Sequence, residues 1–258
     1  MPIRIEVSLD YQFPAVTDVL LQLEAAMIPE QLVQDAKIIL SECVHFARVP
    51  GHDGIGERIW LRVEGNFTLD YRALVQVNRI LGDIAAMEGI PTHKLPGETV
   101  EYLLPSRYCP SDEFISFVDA EFDGLTGGAR VAAMRDWISS HLTYVSGSSS
   151  SATTAVDTFV RRQGVCRDYA HLLVTLTRAA AIPARLASVY APGVEPPDFH
   201  AVAEVFLGGE WHLVDATGMA KEAEMVKIGV GRDAADIAFL TAYGTATMNW
   251  QSVSVVVQ

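Results

Sequence analysis

A cysteine that precedes an apolar run is the residue of this chain best suited to covalent chemistry. Cys166 lies in the sequence Gly-Val-Cys-Arg-Asp-Tyr-Ala-His, and the residues from Tyr169 to Ala181 are almost wholly apolar. Pro183 disfavours helical angles at the residue before it, so we predict a buried helix that stops there. The first turn of a helix favours negative charge and can lower a thiol pKa from about 8.5 to roughly 3.5–7.5. Cys166 is therefore a candidate nucleophile, and a small buried cysteine beginning a core helix is the competing interpretation.

A thiol nucleophile needs a base and a group that orients the base, and His200 and Asp215 can supply both. The pair Gly208-Gly209 between two apolar runs predicts a two-residue hairpin turn. That turn places Val202 opposite Asp215, with His200 two residues further along on the same face. Such diagonal neighbours lie within reach of each other's side chains, so Asp215 can hold the imidazole of His200.

Two other histidines compete for the role of base. His171 lies five residues after Cys166 on the predicted helix, which directs its ring away from the thiol. His212 faces opposite to Asp215 on its strand. A histidine that begins a strand and an aspartate that ends one also have structural interpretations, as a satisfied polar residue and a turn former. The combination of all three residues favours Cys166, His200 and Asp215 as a catalytic set.

The part of the chain that carries these residues has the pattern of an α+β domain. Helical patterns run from Ser111 to about Glu121 and from Val131 to Leu142, and Thr153 or Thr154 can cap a short helix before Gly164. Beyond the buried helix, apolar residues recur at every second position, which predicts strands at residues 184–190, 200–207, 211–216 and 245–257.

In the N-terminal part of the chain, apolar and polar residues alternate as they do in half-buried strands. Residues 3–9 alternate strictly, and turn signals rich in Pro and Gly separate further runs at residues 16–23, 32–46, 59–69 and 71–81. This pattern predicts an antiparallel β-sandwich domain over residues 1–85. Four prolines in the next segment predict an extended linker over residues 86–110. Residues 111–258 then form the second, catalytic domain.

The composition excludes several classes of partner. Half of the 258 residues are hydrophobic and a fifth are charged, which is typical of a globular protein. The formal net charge of −13 repels nucleic acid and anionic membranes, so we expect neither as a partner.

The cysteines and the N-terminus suggest a compartment. Cys43, Cys109 and Cys166 form an odd and sparse set, which argues against a disulfide framework and fits a reducing cytoplasm. No two of them have zinc-ligand spacing, so we expect no metal. No apolar run approaches the roughly 20 residues that a bilayer crossing requires, and the N-terminus lacks a signal-peptide core. The expected location is cytoplasmic.

Four motifs in the second half of the chain together resemble those of the bacterial transglutaminase-like superfamily. They are Gly-Val-Cys-Arg-Asp-Tyr-Ala-His at 164–171, Ile-Pro-Ala-Arg at 182–185, Phe-His-Ala-Val-Ala-Glu-Val at 199–205 and Trp-His-Leu-Val-Asp-Ala-Thr at 211–217. The order cysteine, histidine, aspartate and the short spacings between the three also match. The resemblance covers roughly Thr126 to the C-terminus, and the front region looks like the N-terminal β-domain that often precedes this module.

The resemblance implies a papain-like core in which helices pack on an antiparallel sheet. It also implies Cys166 as nucleophile, His200 as general base and acid, and Asp215 as the orienting group. The chain departs from the family at Val202, where a tryptophan is usual, and at Ala216, where a proline is usual. An element that recurs in bacterial members, Gly-Arg-Asp-Ala-Ala-Asp at 231–236, is present without an assigned role.

The sequence assigns only one of the hydrogen-bond donors that would form an oxyanion hole. A papain-type protease carries a glutamine about six residues before its cysteine, and Val160 stands there in this chain. Gln163 is too close to Cys166 in sequence to take that role. The backbone N–H of Cys166 is the one donor that the sequence assigns.

These residues predict thiol-dependent acyl transfer on a carboxamide or peptide bond of a peptide or protein substrate. Cys166 would form a thioester that water or an amine resolves, and no cofactor is needed. The alternatives are a cysteine protease of the same fold and a non-catalytic peptide-binding protein that retains it. An arylamine acyltransferase that uses coenzyme A also carries such a triad, but the acidic balance and the absence of an evident basic phosphate patch disfavour it.

Overall fold

The computed structural model describes residues 1–258 and arranges them as two main antiparallel sheets and four α-helices. In chain order the elements are β1 (Ile3–Leu21), β2 (Gln31–Leu40), β3 (His45–Pro50), β4 (Glu57–Val77), α1 (Ile115–Glu121), α2 (Gly127–His141), β5 (Thr143–Tyr144), α3 (Ala155–Arg161), β6 (Gln163–Gly164), α4 (Cys166–Ala179), β7 (Ala184–Tyr190), β8 (His200–Leu207), β9 (Glu210–Val214), β10 (Val226–Gly231), β11 (Leu240–Ala242) and β12 (Thr247–Val257). Short 3₁₀ turns connect several of them. None of the helices has the length and apolarity that a bilayer crossing requires.

The first sheet is built on two long strands, β1 and β4, which pair with each other along most of their length. β12 and β2 flank one half of this pair, and β11 and β3 flank the other half. The predicted β-sandwich therefore takes the form of one six-stranded sheet whose two halves share β1 and β4.

One face of this sheet is apolar because the side-chain period of a strand is two. Along β1 every second residue from Ile3 to Phe13 is buried, and residues of β4 such as Phe67 and Leu69 join the same core. Full burial of such a side chain contributes about 1.5–3 kcal/mol each. The alternation in the sequence thus fixes which face of the sheet turns inward.

Two predicted breaks in these strands are absent. β1 runs through Pro14, because Phe13 pairs with Gly65 and Thr17 with Val63, so that the proline lies in an exposed bulge between them. A bulge residue has no ladder partner and so needs no N–H. The predicted strands at residues 59–69 and 71–81 are one strand, β4, since its alternation continues without interruption through Tyr71.

The second sheet has the order β10-β7-β8-β9 and carries the helices. Its strands β7, β8 and β9 match the sequence prediction closely, whereas β10 was not predicted. The buried helix predicted before Pro183 is α4, which ends at Ala179, and Ala181 adopts left-handed angles with φ of 58°. The amide of Ile182 then bonds back to the carbonyl of Thr177 at 3.1 Å, which closes the helix end.

The division of the chain between the two sheets differs from the predicted boundaries. β11 and β12, which the sequence assigned to the second domain, pair with β1 in the first sheet. The predicted linker over residues 86–110 is not extended but forms 3₁₀ turns that bury Tyr102 and Cys109. The strands differ because periodicity reveals the type of an element but not its partner. The linker differs because Pro91, Pro96 and Pro110 each precede a 3₁₀ turn instead of continuing an extended chain.

Candidate active site

Cys166 is the first residue of α4 and follows an extended residue, Val165, with φ of −110° and ψ of 178°. The carboxylate of Asp168 accepts a hydrogen bond from the Val165 amide at 2.8 Å, which fixes the turn from strand to helix. A side chain at position 164 would bring a Cβ within 2.7 Å of the Cβ of Asp168, so glycine is required there. This junction holds the partly exposed thiol of Cys166 at the positive end of the helix.

The register of the β8–β9 hairpin brings His200 and Asp215 together. Gly208 and Gly209 form the turn with φ of 61° and 97°, and Leu207 pairs with Glu210 as the sequence predicts. Positive φ at both central positions is the reason that glycine is favoured in such a turn. His200 Nε2 lies 3.0 Å from Asp215 Oδ2, so the predicted contact between the two side chains is confirmed.

The Asp215 carboxylate is held by the turn that follows β9. Its Oδ1 accepts hydrogen bonds from the amide of Thr217 at 2.8 Å and from the Thr217 hydroxyl at 2.7 Å. Its Oδ2 accepts a hydrogen bond from the amide of Ala220 at 2.9 Å. Burial alone raises the pKa of Asp215, but its hydrogen bond with His200 and these donors outweigh that effect and lower the pKa below its ordinary value. The carboxylate is therefore ionised and fixed in place.

The ring of His200 is fully buried beside the carboxylate of Asp215. Burial lowers its pKa, but the contacts with Asp215 and with the nearby Cys166 side chain outweigh burial and raise the pKa to about 9. The second ring nitrogen, Nδ1, has no hydrogen-bond partner. Since Nε2 is occupied by Asp215, Nδ1 is the nitrogen left to exchange a proton with the thiol. This arrangement can hold a thiolate beside an imidazolium.

Neither competing histidine joins this group. His171 is completely buried, its Nε2 accepts a hydrogen bond from the amide of Ala234 at 3.1 Å, and its ring stacks on Tyr108. Burial lowers the pKa of His171 to about 3, so it stays neutral. His212 is buried on β9 opposite Val205.

The Gly-Arg-Asp element at 231–233 has a structural role. The buried carboxylate of Asp233 accepts hydrogen bonds from the amides of Tyr108 and Ala235, both at 2.9 Å. The guanidinium of Arg178, near the end of α4, donates to the carbonyl of Arg232 at 2.5 Å. The element thereby ties the 3₁₀ segment before α1 and the C-terminal end of α4 to the second sheet.

Tyr144 is a neighbour of Cys166 that the sequence does not reveal. It ends β5, which pairs in parallel with β6 and places Tyr144 beside Gly164. Burial and the neighbouring Cys166 side chain raise the pKa of its phenol to about 12. No local pattern distinguishes it from the other tyrosines, because its position depends on a strand pair of two residues each.

One group apart from Cys166, His200 and Asp215 has the residue types of a metal site. The potential ligand atoms of His52, Asp53 and Glu101 lie within 4.8 Å of one another. Arg185 already donates a hydrogen bond to Asp53 at 2.6 Å and neutralises that carboxylate. The group lies beside the paired residues Arg185 and Glu204, and Glu204 is four residues along β8 from His200. It is therefore separate from the candidate catalytic residues.

Comparisons with known proteins agree with this architecture. The family model of the transglutaminase-like superfamily matches residues 120–216, which include the candidate residues Cys166, His200 and Asp215. A candidate cysteine protease from Cytophaga hutchinsonii has a solved structure that is 33% identical, with a TM-score of 0.93 over 99% of this chain and 90% of that one.

Two further proteins are more distant. An uncharacterized protein from Mycobacterium leprae is 30% identical over 149 residues, which are 54% of this chain and 53% of that protein, so the match spans about half of its length. The periplasmic domain of TgpA from Pseudomonas aeruginosa is 20% identical, with a TM-score of 0.44 over 80% of this chain and 72% of that one.

Proposed function

Because this chain belongs to the transglutaminase-like superfamily, we propose that it is an enzyme of thiol-dependent acyl transfer on a carboxamide or peptide bond. Cys166 is the nucleophile, His200 is the general base and acid, and Asp215 orients His200. The observation that carries this proposal is the 3.0 Å contact between His200 Nε2 and Asp215 Oδ2, which leaves Nδ1 for Cys166. A raised pKa of His200 supports a standing thiolate–imidazolium pair at neutral pH.

The reaction proceeds in two halves. The Cys166 thiolate attacks the carbonyl carbon, and the His200 imidazolium gives its proton to the leaving amine as the C–N bond breaks. A thioester results. His200, now neutral, removes a proton from water or from an acceptor amine, which attacks the thioester and releases the thiolate. Water gives hydrolysis and an amine gives transamidation, and Asp215 stabilises the imidazolium in both halves.

A cysteine peptidase is the second candidate within the same chemistry. It is favoured by the similarity over almost the whole chain to the candidate cysteine protease of Cytophaga hutchinsonii. A non-catalytic peptide-binding protein is the candidate from a different class. The contact between His200 and Asp215 argues against it, because binding alone does not need that pair.

The proposed substrate is a peptide or protein carboxamide. The net charge of −13 favours a neutral or basic substrate, and nucleic acid and membrane surfaces are not proposed as partners. A cytoplasmic location is proposed from the sparse cysteines, all three of which are free thiols.

Competitive alkylation tests the assignment of Cys166, because the other two cysteines serve as internal references. Cys109 is fully buried, which raises the pKa of its thiol to about 12, and Cys43 is partly exposed. We expect iodoacetamide at neutral pH to label Cys166 first, since a thiolate beside an imidazolium is the reactive form. Mass spectrometry of each cysteine at several pH values measures the rates. Equal rates at Cys166 and Cys43 would contradict the proposal.

A substitution provides the second arm of this experiment. Cys166→Ala is expected to abolish turnover of a verified substrate without changing the fold, since it removes one sulfur at the edge of the site. Cys43→Ala is the matched control and is expected to keep full activity, because Cys43 packs against the core of the first sheet.

A further inference from the structure

The backbone beside Cys166 is fixed by a short parallel ladder. Tyr144 of β5 pairs with Gly164 of β6, and the amide of Val145 donates to the carbonyl of Gly164 at 3.0 Å. Gly164 precedes Cys166 by two residues and packs against the first turn of α4. Tyr144 is therefore held next to the helix start, independently of the helix itself.

The side chain of Tyr144 lies along that first turn. Its ring centroid is 6.0 Å from that of Tyr169, which is three residues after Cys166 on α4. The residue is partly exposed, so its hydroxyl can meet a ligand. Burial and the adjacent Cys166 side chain raise the pKa of the phenol to about 12, which keeps its proton in place at neutral pH. Tyr144 thus offers a neutral O–H donor near the sulfur.

The chemistry of the site requires such a donor. Attack on a carbonyl places negative charge on its oxygen, and oxyanion holes normally offer two preorganised donors. The backbone N–H of Cys166 can supply one. The amide of Val165 cannot supply the other, because it donates to Asp168 at 2.8 Å. Nη2 of Arg167 donates to the carbonyl of Ser150 at 2.8 Å, and the Nε of the same guanidinium is buried from solvent.

We propose that the Tyr144 hydroxyl is the second oxyanion donor, beside the backbone N–H of Cys166. This inference rests on the proposed function. As the Cys166 sulfur bonds to the carbonyl carbon, the π pair moves to the oxygen, which accepts a hydrogen bond from Tyr144 without taking its proton. When the C=O bond reforms, the C–N bond breaks and the leaving nitrogen takes the proton of His200.

Two reagents separate this role from an effect on the thiol. Acylation by p-nitrophenyl acetate passes through a tetrahedral oxyanion, whereas alkylation by iodoacetamide displaces iodide at a saturated carbon and forms none. Tyr144→Phe is expected to slow acylation of Cys166 by about 10²-fold, the usual effect of one oxyanion donor, and to leave alkylation unchanged. The substitution removes one oxygen and keeps the ring contacts, so the melting temperature should equal that of the wild type.

The matched control is Tyr169→Phe, which removes a hydroxyl from the neighbouring ring and should leave both rates unchanged. If Tyr144→Phe slows both reactions equally, Tyr144 acts on the nucleophile and the inference is overturned. It is also overturned if neither rate changes. A failure of the proposed function looks different, because wild-type Cys166 would then react with both reagents no faster than Cys43.

Discussion

The charge on His200 depends on a balance between burial and a single carboxylate. The His200 side chain has no exposed surface and that of Asp215 has 4%. Burial disfavours the imidazolium, and the hydrogen bond to Asp215, together with the nearby Cys166 side chain, reverses that effect. At the scale of single residues, Asp215 therefore determines both the orientation and the protonation of His200.

Asp215→Asn should lower turnover by about 10²-fold, within the range of general acid–base catalysis. The neutral amide cannot stabilise the imidazolium, so the pKa of His200 should fall from about 9. The alkaline limb of the pH–rate profile should move to lower pH by the same amount, and an NMR titration of His200 should show it directly. Thr217→Val is the matched control, because it removes a hydroxyl bonded to the same carboxylate at 2.7 Å but keeps the charge. An unmoved alkaline limb in Asp215→Asn would contradict the assigned role.

The same pair predicts how stability depends on pH. The folded pKa of His200 is raised above its ordinary 6.5, so its stabilising effect is fully present below that value and is lost as the pH rises through about 9. The pKa of Asp215 is lowered below its ordinary 3.8, so its effect is present above that value and is lost as the pH falls. Both effects are fully present between about pH 3.8 and pH 6.5. Urea unfolding should therefore show the largest difference in stability between wild type and Asp215→Asn in that range.

At the scale of elements, the hairpin of β8 and β9 is the part of the site that the sequence predicts best. The glycine pair sets the turn, the turn sets the register, and the register sets the face of His200 and Asp215. Pro14 shows the opposite case. A proline ends a strand or lies in a bulge, and the choice depends on the partner strand, which local sequence does not show.

Asp233→Ala should destabilise the protein without changing the chemistry at Cys166. The buried carboxylate accepts hydrogen bonds from the amides of Tyr108 and Ala235, and its loss leaves both donors without a partner. The expected cost is about 1–3 kcal/mol per unsatisfied group, measured by urea unfolding. The alkylation rate of Cys166 in the folded variant should equal that of the wild type. A slower rate at unchanged stability would show that the Gly-Arg-Asp element acts on the site itself.

At the scale of the whole molecule, the first sheet supports the second through buried polar contacts. The side chain of Gln31 donates to the carbonyl of Lys227 at 2.8 Å and accepts from its amide at 2.8 Å. The ammonium of Lys227 lies 2.5 Å from Glu204 on β8 and also pairs with Glu30. Burial raises the pKa of Glu204, but Lys227 and Arg185 outweigh it and lower the pKa to about 2. A charge network thus connects β2 and β10 with the strand that begins at His200.

The first sheet also contacts the segment that precedes His200. Gln251 of β12 donates to the carboxylate of Asp198 at 2.8 Å, and Phe199 packs against the core of the first sheet. These contacts join residues far apart in sequence. Hydrophobic periodicity predicts the strands β1 and β12 individually, but it contains no information on which strands pair, so the sequence could not predict how the two sheets share the C-terminus.

The two sheets should consequently unfold as one cooperative unit. Trp60 lies on β4 of the first sheet, and Trp211 lies on β9 of the second, where the Arg185 guanidinium is 4.0 Å from its ring centroid. Variants that keep only one of these tryptophans, with the others replaced by Phe, report on one sheet each. Their urea midpoints, followed by fluorescence, should coincide because the contacts of Gln31 and Lys227 are lost together.

Gln31→Ala provides the decisive comparison. It removes buried hydrogen bonds between the sheets, each contributing about 0.5–1.5 kcal/mol, and should lower the midpoints reported by Trp60 and Trp211 by the same amount. Gln76→Ala is the matched control, since that side chain is exposed and bonds only to nearby Asn78. Two separate midpoints, or a shift in the Trp60 signal alone, would show that the first sheet unfolds independently of the strands that hold His200 and Asp215.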